Sequence, residues 1–408
     1  MPSSKGSKRG TNMANARKLP TCFPSSLPTR REAVLFVAFS ICVSLAACAS
    51  RPDAGFLSAV PGSTTGASDQ TFLVATTRQR DARPGTLFNG ERASSLDFAR
   101  IKLSIPPSHV PGNVEWPSAP PGDPNKDFVV REASYLDSDK EFIRDLNAQL
   151  VMRPRGSRRV LVFIHGYNTL FAEGLYRFAQ VHHDAKAIAV PVLFTWASRG
   201  RLTDYVYDTN SATAARDDLE HTLRLVLASD ADQVNILAHS MGNWVTVEAL
   251  RQIKISGDLR NADKVGYIFL AAPDIDMDVF KSQLRRFGKP RKPFYVILSR
   301  DDKALMLSKF LAGGETRLGA ENNTAELAAL GATVIDLTDV SATDSSNHSK
   351  FAQLATVAPE LEVVLGRGIA ASSPTEFQGQ PATGSGLGDV ISSPLSVLGA
   401  PVRIVAGQ

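Results

Sequence analysis

A hydroxyl that attacks a carbonyl carbon needs three kinds of help. A base must take its proton, a carboxylate must orient that base, and N–H donors must receive the oxyanion. Ser240 sits where such a set could be built, in the stretch Gln-Val-Asn-Ile-Leu-Ala-His-Ser-Met-Gly over 233–242. The strand-like Val234–Leu237 leads into it, and a helical segment, Asn243–Ile255, follows. A serine at a strand-to-helix turn of this kind, a nucleophile elbow, has its hydroxyl pushed out at the carboxyl edge of a sheet. The usual pattern is Gly-x-Ser-x-Gly. Here Ala238 replaces the first glycine and Gly242 keeps the second. Strand and helix pack tightly around a strained serine, so a methyl group is tolerable there where a branched side chain would not be.

The base and the acid follow the serine in the order acid, then histidine. The chain has seven histidines, and His348 alone lies after Ser240, in the polar loop Ser-Ser-Asn-His-Ser over 345–349. That loop falls between the last expected strand and the last expected helix, where a base belongs. Asp302 is the preferred acid, since the later strand is the commoner source, with Asp301 and Asp274 as alternatives. An aspartate not used this way would cap a helix or pair with a nearby arginine. The oxyanion donors are expected to be the amides of Met241, at a helix N-terminus, and of Tyr167, where Gly166 lets the backbone approach closely. His165 is expected to bond that loop and not to act as a second base.

From Val160 onward short apolar strands alternate with amphipathic helices, the pattern of an α/β fold with a mostly parallel, doubly wound sheet and helices on both faces. The strands are expected at Val160–Ile164, Ala187–Trp196, the elbow strand, Val265–Ala271, Phe294–Leu298 and Thr333–Leu337. Helices are expected at Phe171–Asp184, Ser211–Ser229 and Phe351–Leu365. Residues 71–150 read as an entry region laid against the main sheet, with strands at Phe72–Arg78, Phe98–Ile105 and Phe128–Val130 and a helix at Asp137–Leu150. No chemical motif is visible in it.

The chain of 408 residues carries a formal charge of +4, with the basic excess in its first 47 residues. The remainder has 38 basic and 40 acidic side chains, so charge gives no sign of a nucleic-acid partner. Arg30-Arg31 precede a short apolar run, Ala33–Ala47, ending Leu-Ala-Ala-Cys at Cys48. This resembles a bacterial lipoprotein signal, which implies lipidation of Cys48, a membrane anchor and a periplasm-facing protein in the cell envelope. Removing 1–47 takes away Cys22 and Cys42, so no disulfide is expected. Residues 48–70 read as a flexible tether, 71–365 as the domain and 366–408 as a disordered tail. No cofactor is expected, since there is no phosphate-cradling glycine loop. No metal is expected either: the adjacent histidines of His182-His183-Asp184 point about 100° apart on a helix, which suits a solvated helix end.

Val160–Leu365 resembles a bacterial α/β-hydrolase family of unknown function, often labelled esterase- or lipase-like. The matching pieces are Phe-Ile-His-Gly-Tyr-Asn at 163–168, Trp-Ala-Ser at 196–198, Ala-His-Ser-Met-Gly-Asn at 238–243, Ala-Ala-Pro-Asp at 271–274, Asp-Lys-Ala-Leu at 302–305 and Asn-His-Ser at 347–349. The resemblance implies the α/β-hydrolase fold, and an acyl hydrolase acting on a small ester or lipid. The alternative is an envelope lipoprotein that keeps the fold for binding without turnover.

Overall fold

The structure is a computed structural model describing residues 51–257, 261–287, 293–342, 344–353, 395–397 and 400–405. The expected leader, Cys48 and most of the expected last helix and tail lie outside these residues.

Six strands form the parallel centre: β4 (Arg159–Ile164), β5 (Val190–Thr195), β6 (Gln233–His239), β7 (Val265–Ala271), β8 (Phe294–Leu298) and β9 (Ala332–Asp336). The entry region does not lie against this sheet but continues it. Strand β1 (Ser68–Arg80) pairs parallel with β5, and β2 (Phe88–Ile105) and β3 (Val129–Leu136) follow antiparallel. At the opposite edge β11 (Ala400–Val405) pairs antiparallel with β9, and β10 (Leu395–Val397) pairs with β11. The sheet order is β10-β11-β9-β8-β7-β6-β4-β5-β1-β2-β3. Two segments of the expected disordered tail are therefore strands. The Val-Arg-Ile-Val run at 402–405 suits a pleated ladder, and β9 would otherwise leave its own backbone groups unpaired at an open edge.

Every residue of β4 is buried, as expected of a parallel strand covered on both faces. Val160, Val162 and Ile164 belong to one core, while Leu161 and Phe163 belong to the other. The first core takes in α1 (Asp139–Val151), α4 (Arg216–Ala228), α5 (Met241–Ser256) and α6 (Met277–Phe287), and the second takes in α2 (Phe171–Asp184). Both cores are built from residues within Pro52–Gln408, which form a compact unit by themselves. Among the described residues no helix is long and apolar enough to cross a membrane.

Three further expectations need correction. The long helix expected over Ser211–Ser229 is two helices, α3 (Tyr205–Ala214) and α4, which meet at Ala215. The expected tether packs on the domain from Phe56. Phe56 and Leu57 are buried, the Tyr176 hydroxyl donates to the Phe56 carbonyl, and Ala59 bridges Val130. Nor is His182-His183-Asp184 a solvated helix end. His182 is buried against Phe72, and Asp184 accepts from His109 Nε2 at 2.8 Å and from the Gly112 amide at 2.6 Å. The loop between β2 and β3 covers this end of α2, which helical spacing alone could not reveal.

Candidate active site

Strand β6 delivers Ser240 and α5 begins at the next residue. At that junction Ser240 has φ 53° and ψ −126°, a conformation side chains rarely adopt and one that costs on the order of 1–3 kcal/mol. The surroundings hold it there. The Ser240 amide donates to the Ala271 carbonyl, and its own carbonyl accepts from the amides of Asn243 and Asp274. The Asn243 side chain adds a brace, donating to both Ser240 O and Ala271 O at 2.8 Å. Two glycines are needed by closeness. A Cβ on Gly242 would lie 2.4 Å from the His165 carbonyl, and one on Gly166 would lie 2.6 Å from Ser240 Cβ. Ala238, by contrast, is fully buried in the first core and meets no such obstacle.

His348 stands in the loop after β9. Its Nδ1 lies 2.7 Å from Asp302 Oδ2, so the N–H donates to that carboxylate and leaves Nε2 as the free basic nitrogen. Burial pushes His348 down, but the Asp302 hydrogen bond and charge, helped by Asp274 and Asp344, outweigh it. The net direction is up from the ordinary imidazole value. Asp302 is fully buried and works twice, because its Oδ1 accepts the Leu305 amide and so caps α7 (Lys303–Leu311).

The other two aspartates are engaged elsewhere. Asp301 holds Lys350 at 2.7 and 2.9 Å and accepts from Asn347 Nδ2 at 2.8 Å. Asp274 accepts from the Ser308 hydroxyl at 2.6 Å and has Arg317 Nε 3.2 Å away, near but not aligned for a hydrogen bond. Desolvation raises the Asp274 carboxyl above its usual range.

The loop of His348 is shaped by a residue that sequence reasoning missed. Asp344 accepts the amides of Ser346, His348 and Ser349 and the Ser346 hydroxyl. Its desolvation is outweighed first by that hydroxyl and then by the Ser349 and His348 amides, which hold its carboxyl low. The Asp-x-Ser spacing at 344–346 is the signal that could have been read, since Asp hydrogen-bonds the backbone two residues on. His239 was missed as well. Its ring stacks on Phe351 with centroids 4.3 Å apart and lies 4.6 Å from the His348 ring, while its Nε2 donates to the His348 carbonyl at 3.3 Å. Burial first, and the neighbouring His348 second, keep it neutral.

Residues 165–169 form the loop after β4, and a buried cation holds them. Arg78 of β1 is fully buried, and all five of its N–H groups are used. They reach Thr195 Oγ1, the carbonyls of Asn89, Ser198 and Thr169, and His165 Nε2. A guanidinium can only donate, so His165 Nε2 accepts, and its Nδ1–H goes to the Gly166 carbonyl at 2.8 Å. Burial and then Arg78 lower the His165 pKa to about 3, so the ring is neutral. Desolvation lowers Arg78 itself to about 10, which leaves it charged near neutrality. Asp208 completes the frame from α3, accepting from Ser198 Oγ at 2.5 Å and from the Asn168 amide at 3.1 Å, while Ser198 Oγ accepts the Thr169 amide. The Trp196 indole donates to the His165 carbonyl at 3.0 Å and stacks on its ring.

Ser240 and the His348–Asp302 pair thus stand at the same carboxyl edge of the parallel strands. The 165–169 loop stands beside them, with Gly166 against Ser240. Ser240 is 5% exposed, and among the described residues its hydroxyl makes no hydrogen bond to His348. A cleft of ≈ 240 Å³ is walled by Gly166, His239, Trp116, Arg177 and Phe351; Ser240 and His348 are not among its lining residues. Among the described residues no cluster of three His, Cys, Asp or Glu side chains could hold a metal ion.

A family model described as an alpha/beta hydrolase of unknown function (DUF900) matches residues 138–367, more than half of the chain. A comparison with curated proteins gave no match.

Proposed function

Since the chain belongs to this alpha/beta hydrolase family, we propose that it is a serine hydrolase of esterase type, cleaving carboxylic or thio-esters through an acyl-enzyme. The observation that carries this reading is the His348–Asp302 pair at the same sheet edge as a serine held at φ 53°. Ser240 Oγ attacks the carbonyl carbon while His348 Nε2 takes its proton. The amides of Met241 and Tyr167 receive the oxyanion. As the tetrahedral intermediate collapses, the imidazolium gives that proton to the leaving alkoxide or thiolate, and the acyl group stays on Ser240. Water then adds to the acyl carbon, again losing its proton to His348, and the carboxylic acid leaves as Ser240 regains its hydrogen. Asp302 keeps Nδ1–H in place and stabilises the imidazolium in both halves. No cofactor takes part. Acylation of Cys48 would place the enzyme on the periplasmic face of the cell envelope, with a small ester or a lipid as substrate.

The absence of a Ser240–His348 hydrogen bond favours a second reading, a lipoprotein that binds without turnover. Catalytic hydrogen bonds are often long before substrate arrives, so labelling separates the two. A fluorophosphonate probe should label the native protein and not the Ser240→Ala variant. An unlabelled native protein, or equal labelling of the variant, defeats the hydrolase reading.

A further inference from the structure

Six large apolar side chains stand exposed on two neighbouring segments at the carboxyl edge. Leu202 and Val206 lie where the chain leaves β5 and enters α3, and Met306, Leu307, Phe310 and Leu311 lie on α7. Phe310 is 79% exposed, Val206 72% and Leu202 61%. Helix α7 buries Leu305 and Ser308 and turns these four outward, so it has a second apolar face that none of the described residues covers. The two segments are tied together, with Tyr205 Oη and Ser308 Oγ 3.1 Å apart. Both are also tied to the site, because Asp302 caps α7 and the Tyr167 hydroxyl donates to the Leu202 carbonyl. Isolated exposed leucines need no explanation, but six large apolar side chains on two tied segments at one sheet edge do.

Two features of the chain point to what would cover it, the first conditional on the acylation of Cys48 proposed above. The first is where the chain enters. Asp53 pairs with Arg83 at 2.8 Å, and the Leu57 amide donates to the Gly85 carbonyl. Arg83 and Gly85 belong to the turn after β1, which runs parallel to β5, so the chain enters at the same sheet edge as Ser240. Five residues from Cys48 to Asp53 span at most about 18 Å, so an anchor there would hold this edge, and not the opposite one, against a membrane. The second is charge. Arg201, Lys303 and Lys309 flank the apolar residues, and none has a carboxylate partner among the described residues. Lys303 and Lys309 donate to the Ser345 carbonyl and Thr316 Oγ1. Asp204 and Glu315 are the acids of this rim, and one carboxylate oxygen of Asp204 is turned out of solvent. Apolar side chains bordered by cations suit an anionic lipid interface.

We infer that the rim formed by Leu202, Val206 and the outer face of α7 docks on an anionic lipid bilayer and presents Ser240 to acyl groups held in it. The docking itself does not rest on the hydrolase reading and is measured without turnover. The Pro52–Gln408 unit, lacking Cys48, carrying Ser240→Ala and holding both cores, is sedimented with vesicles of phosphatidylcholine and phosphatidylglycerol. It should co-sediment, and a Met306→Ser/Phe310→Ser variant should bind roughly tenfold more weakly or worse with an unchanged circular dichroism spectrum. A Phe310→Trp variant keeps the apolar face, and its emission should shift to shorter wavelength when vesicles are added. Failure to sediment, equal binding by the double variant, or an unmoved tryptophan spectrum each overturns the inference. So does a dimer without vesicles that the double substitution dissociates, since the rim would then belong to a second copy. The companion test on the enzyme is that hydrolysis of a soluble short-chain ester stays unchanged in the double variant while hydrolysis of a vesicle-borne ester falls.

Discussion

His348 reaches Asp302 through one ring nitrogen, and in the proposed mechanism the other takes the proton, so its protonation state would set the rate. A base must be neutral to accept a proton. With its pKa raised, the rising limb of kcat/KM against pH should lie above the ordinary imidazole value of about 6.5. Asp302→Asn should move that limb down and lower kcat/KM by about 10⁴-fold. Asp301→Asn removes a partner of Lys350 instead and should leave the limb where it is; a profile that responds to Asp301 and not to Asp302 would reverse the assignment. Ser240 and His348 were both legible in the sequence, the first from its turn and the second because no other histidine follows it. For the acid the sequence offered a preference, Asp302, which is the aspartate His348 bonds, but it could not set Asp301 aside. Asp301 and Asp302 are adjacent and leave the same strand, so only side-chain direction separates them, and that depends on Lys350 and Asn347 drawing Asp301 to one side.

Among the elements, β1 contributes more than its sequence suggests. The entry region gave no sign of chemistry, yet its Arg78 ties Thr169 and His165 to Thr195 and Ser198. An arginine in an alternating strand reads as solvent-facing. Only the pairing of β1 with β5 turns it inward, and that pairing is non-local. Arg78→Met should leave several acceptors unpaired, costing on the order of 3–5 kcal/mol in unfolding free energy. It should also loosen the loop that carries the Tyr167 amide, lowering kcat by about 10²-fold with little change in KM. Equal stability and equal kcat in the variant would remove Arg78 from this role. The parallel strands and α2 were legible because buried apolar runs and helical periodicity are local signals. The split between α3 and α4 was not, since Asp208 is buried by contacts with Ser198 and Arg199 that helical spacing does not encode.

At the scale of the molecule, three buried imidazoles make the fold sensitive to acid. His165 is lowered to about 3 and His182 to about 4, chiefly by burial, and His239 well below its ordinary value by the same cause. Between pH 6.5 and about 4 the unfolded chain binds protons at these sites and the folded protein does not. Stability therefore falls as pH falls through that window, by about 1.4 kcal/mol per pH unit for each of His165 and His182, with His239 acting in the same direction. His348 does not offset this. Its raised pKa gives a contribution already complete below 6.5 and lost only as pH rises through its folded value. Urea unfolding at pH 6.5 and 4.5 should show a clear drop in midpoint, and an unchanged midpoint would mean that these rings are not held neutral.

The contacts that brace the candidate centre also divide it along the chain. The residues named above as holding the 165–169 loop (Arg78, Thr195, Ser198, Asp208) precede Ser240, and the carboxylates that hold His348 (Asp302, Asp344) follow it, with the His239 contact to the His348 carbonyl crossing between the two sets. A break just after Gly257, where α5 ends in a left-handed residue, would leave the proposed nucleophile and its proposed oxyanion donors on one piece and the proposed base and its acid on the other. Neither piece alone could turn over an ester. Reactivity would then report the reunion of β6 with β7, which makes the serine a gauge of whether the two halves of the sheet have met.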